Sequence, residues 1–234
     1  MPDAYTRRAR IAPAVLVAIP ALAILVAGAL SIDTAARIVG VLFGSVGIII
    51  AIVVRGAGRR IQPGLWENWD GPPAQRRLRW RCGDPPDVVE RRHRRIEAVT
   101  NEPLPDEAAE AADPERAERQ YDDAIAILRE LTRNRDDFPL VFAENADYGF
   151  RRNTYGLRTI GLWVGCGCLA LSISLLLLGD GALSSRATAW IPVAAIGAAS
   201  ALFWGLVVTP GWVRAAAENY ADRLHGAVES LTRP

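Results

Sequence analysis

Four arginines in five residues, Arg91-Arg92-His93-Arg94-Arg95, form the densest patch of chemistry-bearing side chains in this chain. Guanidinium groups clustered in this way attract phosphate oxygens, so the patch is the candidate ligand site, with a lipid phosphate or an anionic nucleotide as its ligand. The same spacing also suits a solvated helix face, with Glu90 pairing to Arg94 one turn on. His93 stands alone, and the other histidine, His225, lies far off in the tail, so no metal or catalytic pair is expected. Asp136, Asp137, Glu144 and Asp147 lack any ligand spacing that would hold a cation. Three cysteines cannot all pair within one chain and show no zinc spacing. Walker loop, G-x-G-x-x-G, nucleophile elbow and H-E-x-x-H are all missing. No metal, cofactor or enzymatic activity is expected.

These arginines sit in a charged stretch, Arg55–Arg158, between two pairs of apolar runs. Ile11–Leu30 and Ile38–Val54 precede it, and Thr159–Leu178 and Trp190–Thr209 follow. Three of the runs have 20 residues, the second has 17, and none contains an ionisable Asp, Glu, Lys, Arg or His. Such runs are long enough to cross a bilayer as helices. The mean hydropathy of +0.12 conceals this segregation. The expected fold is an all-α membrane protein with two transmembrane helical hairpins, 11–54 and 159–209, flanking a mostly helical cytoplasmic module, 55–158. A short N-terminus, 1–10, and an amphipathic tail, 210–234, complete it.

Arginines flank the runs unevenly. Arg7, Arg8 and Arg10 precede the first, and Arg55, Arg59, Arg60, Arg151, Arg152 and Arg158 edge the central stretch. The two short loops hold only Arg37 and Arg186, each against an aspartate. Positive charge marks the cytoplasmic side, so both termini and the module are expected there. The alternative, a signal peptide cut after Ala27-Gly28-Ala29, requires an unusually long apolar region and leaves an odd number of spans.

Small residues recur four apart within the runs: Gly40 and Gly44, Gly161 and Gly165, and Gly197, Ala201 and Gly205. They let helix backbones approach where lipid gives no hydrophobic drive. The faces fit packing within one bundle or between copies of a homo-oligomer, and both readings stay open. With no charge near the midplane, a proton relay is not expected. Trp66, Trp69, Trp80, Trp190 and Trp212 are expected at the bilayer interface, and Trp163 and Trp204 at helix contacts.

Within the module, Gln62–Pro73 carries too much Pro and Gly for a regular helix, and Ala74–Cys82 reads as a short strand or turn. Asp84-Pro85-Pro86 starts a helix to about Val99, and Asp113-Pro114 starts another to about Arg135. Between them, Asn101–Ala112 reads as a linker. Ala117, Tyr121, Ala124, Leu128 and Leu131 form an apolar seam with Ile125 and Ile127, packing on the arginine helix or on another subunit. Phe138–Asn153 reads as an elbow lying at the membrane surface. Val213, Ala217, Tyr220, Leu224 and Val228 give the tail an apolar stripe that returns to the module.

With its Trp-rich turn at Leu65–Pro73 and its Phe138–Asn153 elbow, this plan resembles small bacterial four-span membrane proteins. Some of these are predicted effectors of nucleotide-signalled anti-phage defence. The resemblance is one of architecture and carries no functional residue across. It implies a homo-oligomeric effector that opens or perturbs the bilayer when its module senses an anionic nucleotide or another signal. A non-enzymatic scaffold, docking a soluble partner protein through the seam and tail, is the alternative.

Overall fold

A computed structural model describes residues 4–30, 34, 37–38, 41–45, 58–177 and 183–231, apart from the side chains of Leu30 and residues 183–188. The second apolar run, with Gly40, falls largely outside the described residues. Every regular element among those described is helical, as an all-α fold requires. Three helices are long and apolar enough to cross a membrane: Ala4–Ala29, Arg158–Leu177 and Ala189–Val207. The chain divides into two compact units, residues 1–62 with 149–213, and residues 63–148 with 214–234.

The first unit is built from these spans. Ala12–Leu30 tolerates Pro20 in its middle, where a helix loses one backbone hydrogen bond. Cys168 is fully buried there, its thiol 3.7 Å from the Pro20 carbonyl oxygen and 3.5 Å from that of Val193, so one side chain touches three helices. Ser172 donates to the Cys168 carbonyl at 2.8 Å, within its own helix.

The small-residue faces pack inside the chain. A Cβ on Gly165 would stand 2.9 Å from the Ala201 nitrogen, and one on Gly197 2.7 Å from the Leu169 nitrogen. Gly161 lies against the ring of Trp204, which is fully buried, and Gly44 against Ala21 and Leu25. Only Gly205, with its nearest foreign atom 3.9 Å from such a Cβ, is left roomy among the predicted positions described. The faces at Gly44, Gly161, Gly165, Gly197 and Ala201 are therefore taken up by contacts within the chain. Trp163, expected at a helix contact, is instead 74% exposed.

Two π turns interrupt the spans, Arg7–Ile11 and Phe203–Val207. Helical backbone loosened in this way leaves carbonyls in need of donors. Asn153 Nδ2 donates to the Ala9 carbonyl at 2.6 Å. Arg158 Nε and Nη2 donate to the Trp204 and Gly205 carbonyls at 3.1 and 3.0 Å. An arginine at the start of one apolar helix thus caps the carbonyl end of another. Arg158, a flanking charge in the sequence, is a helix cap in the fold.

The second unit is a cluster of short helices around Leu78, Ile96, Tyr121, Ile125, Leu128 and Leu224. Pro86–Thr100 begins one residue later than expected, with Pro86 in its first turn. Pro114–Leu131 is capped by the Asp113 side chain, which accepts from the Arg116 nitrogen at 3.0 Å. It ends four residues early, where the Thr132 hydroxyl donates to the Leu128 carbonyl. The seam residues Ala117, Tyr121, Ala124, Ile125 and Leu128 are buried against Pro86–Thr100 and the tail, while Leu131 is 42% exposed. The seam faces inward within one chain.

Four expectations are corrected. Asn101–Ala112 is not all linker or turn, because Glu107–Ala112 is a short helix capped by the Asp106 side chain. Gly58–Asn68 is helical in spite of Pro63 and Gly64. The proline removes one donor without ending the helix, and the turn comes instead at Asp70 and Gly71, whose φ values of 59° and 99° are left-handed. Ala74–Cys82 contains no strand but the helix Pro73–Arg76 and a 3-10 turn, Trp80–Cys82. Phe138–Asn153 is no elbow, because Pro139–Gly156 is one continuous helix. Its Pro stands at the first helical position, where the missing N–H is harmless.

Candidate functional site

Burial on Pro86–Thr100 repeats at Val89, His93, Ile96 and Thr100, so one stripe faces the core. This places Arg91, Arg94 and Arg95 on the outer side and Arg92 at the flank. The four arginines have different surroundings. Arg92 is the most enclosed, donating to the Arg77 carbonyl and, at 2.8 Å, to Asp84. That hydrogen bond holds the Asp84 carboxyl below the usual range. Arg91 reaches Asp87 at 3.4 Å, one turn back, and Arg95 reaches Glu229 at 3.0 Å, with all four of these side chains at least half exposed. Arg94 is exposed and has no carboxylate against it among the described residues.

Arg91, Arg92 and Arg95 edge a groove of about 250 Å³ floored by Val88, Ile96 and Val228 and closed by His225, Gly226 and Glu229. The tail supplies the last four of these groups. His225 and Glu229 are the residues that sequence reasoning missed. Their only signal was position, next to Leu224 and Val228 on the apolar stripe.

A second groove of about 430 Å³ is lined by charge: Arg76, Arg77, Asp84, Arg92, Glu218 and Asp222, with Cys82. Arg77 joins Glu218 at 3.1 Å and also pairs with Asp222, and Arg76 pairs with Glu218. Glu218 and Asp222 stand one helical turn apart, so a single guanidinium bridges both. The hydrogen bond from Arg77 holds the Asp222 carboxyl below its ordinary value. These charges neutralise one another and tie the tail to the short helix Pro73–Arg76.

Both histidines bind the same short segment. His93 Nε2 lies 2.6 Å from the Leu78 carbonyl oxygen, and His225 Nε2 lies 2.9 Å from that of Ala74. A ring nitrogen facing a carbonyl must carry the proton, so each neutral ring has the Nε2–H form. His225 Nδ1 is buried without a hydrogen-bond partner. Burial lowers the pKa of His93, and lowers that of His225 from 6.5 to about 4.

The sign of the pH dependence follows. Above pH 6.5 both folded and unfolded rings are neutral, and their stabilisation is intact. As pH falls from 6.5 toward 4, the unfolded chain takes up protons that the folded ring refuses, and stability is lost. Between pH 7.5 and pH 5 the second unit should lose about 2 kcal/mol through His225, read as a lower urea midpoint by tryptophan fluorescence of the full chain in micelles. His225→Gln keeps a donor for Ala74 and removes the titration, so its midpoint should depend less on pH. An unchanged dependence would show that His225 is not the titrating group.

The tryptophans have separate settings. Trp69 is 5% and Trp190 2% exposed. Trp80 donates from Nε1 to the Pro105 carbonyl at 2.8 Å and packs edge-on against His93. Trp66 Nε1 donates to the Tyr148 hydroxyl at 3.3 Å, and the Arg151 guanidinium sits 5.2 Å from the Trp212 ring centre. No group of three or more His, Cys, Asp or Glu able to hold a metal occurs among the described residues. No protein-family model matches this chain, and neither does any curated protein or any solved structure.

Proposed function

We propose that this chain is an integral membrane effector whose polar unit takes up an anionic signal in the groove edged by Arg91 and Arg95, and whose spans then disturb the bilayer. The setting in this proposal is a bacterial inner membrane, with both termini and the polar unit in the cytoplasm and the effector acting as a homo-oligomer. One observation carries the reading. Arg91 and Arg95 are each held by a single, well-exposed carboxylate, Asp87 and Glu229, beside an apolar floor. Exposed pairs of this kind are worth less than about 1 kcal/mol, so a phosphate can displace them. Glu229 then acts as a built-in stand-in for the ligand. Among the described residues the bundle is packed with Gly–backbone contacts and has no charged side chain within its apolar runs, so the disturbance requires rearrangement or association of spans.

The test is ion leakage from liposomes holding the full chain, with and without a panel of cyclic and linear oligonucleotides. Leakage is expected only with a nucleotide, at a lower concentration for Glu229→Gln, and not for Arg91→Ala/Arg95→Ala. Leakage by the double variant equal to that of the parent sinks the groove as the sensor.

A scaffold that docks a soluble partner is the second reading, favoured by a different surface. Phe138, Pro139, Leu140 and Val141 form a groove of about 270 Å³ with the tail, and Leu140 is 60% exposed. The heptad seam cannot serve that purpose, because Leu128 is fully buried. Silence across the leakage panel, with a stoichiometric partner lost on Leu140→Asp, favours the scaffold.

A further inference from the structure

We infer that one end of the spanning unit is a binding belt for anionic phospholipid, built around Arg7, Arg10, Arg59 and Arg60. This belt is separate from the groove on the polar unit and does not depend on it. Three contacts bring its parts together. Asn153 holds the Ala9 carbonyl at 2.6 Å, the Gly58 backbone lies directly against Asn153, and Arg152 donates to Gln62 at 2.6 Å. The segments 7–10, 58–62 and 151–158 therefore share one end of the unit. Arg7, Arg10, Arg59 and Arg60 are all exposed there.

No Asp or Glu occurs among the described residues of this unit, so no described carboxylate within it offsets these charges. Its sequence has eleven arginines against three aspartates, Asp3, Asp33 and Asp180. The other unit has the reverse balance, sixteen arginines against twenty-three carboxylates. A concentration of positive charge on one end of an apolar bundle selects a negatively charged surface.

Beneath this end an apolar stripe is open. Val15, Ile19, Leu22 and Val26 lie on one face of the first span and are 52%, 44%, 50% and 50% exposed. At about 1.5 Å per residue, the eleven steps from Val15 to Val26 cover about 16 Å, close to half of a hydrocarbon core of about 30 Å. That is the reach of one acyl chain. A ligand that places phosphate on arginine and hydrocarbon along this stripe is a phospholipid. Uncompensated guanidinium groups favour a headgroup of net negative charge over a zwitterionic one.

The full chain would be reconstituted in nanodiscs of phosphatidylcholine, alone or with one-third phosphatidylglycerol, and followed by thermal unfolding and by the lipid retained in native mass spectrometry. Phosphatidylglycerol should raise the unfolding temperature and be retained over phosphatidylcholine, less so at high salt. Arg7→Gln/Arg10→Gln/Arg59→Gln/Arg60→Gln should unfold like the parent in phosphatidylcholine and retain at least about tenfold less phosphatidylglycerol. Arg91→Gln/Arg95→Gln should keep the full response, which separates the belt from the groove. Inorganic phosphate added to phosphatidylcholine nanodiscs should not reproduce it. A response to phosphate alone, or undiminished retention by the quadruple variant, overturns the proposal. Should that variant not insert, the parent decides, since equal retention of the two lipids overturns it as well.

Discussion

Gly197→Val is expected to unfold the spanning bundle under conditions where the parent is stable. A Cβ at this position stands 2.7 Å from the Leu169 nitrogen, 3.0 Å from its Cα and 3.1 Å from the Gly165 carbonyl oxygen. All three atoms are backbone, so no side chain can swing aside, and the two helices must separate. Separation exposes Gly165 in turn, because its own approach to the Ala201 nitrogen depends on the same spacing. Overpacking of a tight core costs about 1–3 kcal/mol where side chains can yield, and the upper end or more is expected here. In a membrane, close packing is itself the main attraction between helices, so the loss is not made good by burial elsewhere.

The measurement is thermal unfolding of the full chain in one fixed micelle, with the emission of buried Trp204 as a local reporter. Gly205→Ala supplies the contrast. Its Cβ meets nothing closer than 3.9 Å, and alanine favours helix over glycine, so no loss of stability is expected. If both substitutions destabilise equally, the intramolecular face is the wrong explanation. If neither does, the helices do not approach as described.

A second large effect is expected in the polar unit. Glu110→Ala should destabilise it by about 3–5 kcal/mol. Glu110 is 6% exposed, and its side chain accepts from the Tyr121 hydroxyl at 2.6 Å and the Trp80 backbone nitrogen at 2.9 Å. Tyr121 is itself fully buried, and burial together with the hydrogen bond to Glu110 pushes its phenol pKa up. Truncation strands the buried Tyr121 hydroxyl and the part-buried Trp80 N–H at once, each with a desolvation penalty. Glu110→Gln keeps an acceptor of the same shape and should lose about 1 kcal/mol. Urea unfolding of the full chain, followed through Trp80 fluorescence, separates the two variants. An alanine variant within 1 kcal/mol of the parent would mean that water replaces the carboxylate and that the cluster is not closed.

The two cases also separate what each level of description carries. Apolar runs without charge, lengths near 20 residues, and proline after aspartate at helix starts are local properties of the chain. They were enough to identify three helices long and apolar enough to cross a membrane, the helices beginning at Pro86 and Pro114, and the all-α class. The apolar stripe of the tail was legible for the same reason, because the 3.6-residue period is written along one segment. Local rules failed where neighbours outweighed them. Pro63 ends no helix, since losing one donor is tolerable within an otherwise regular segment, and the turn waits for Asp70 and Gly71.

The candidate site required the tertiary structure. The four arginines Arg91, Arg92, Arg94 and Arg95 are one cluster in sequence, but a helix turns each residue by about 100°, so Arg92 pairs with Asp84, Arg91 with Asp87 and Arg95 with Glu229. Glu110 lay in an acidic stretch that reads as a linker, and only the return of Tyr121 and Trp80 makes it a buried acceptor. Glycine spacing showed that helices approach closely, but not whose helices. That was decided by Ala201, Leu169 and Trp204, which stand against Gly165, Gly197 and Gly161 in the same chain. Periodicity and composition are inherited from neighbours in sequence, whereas pairing of charges and choice of packing partner depend on residues brought together from about 130 positions away, as Arg95 and Glu229 are.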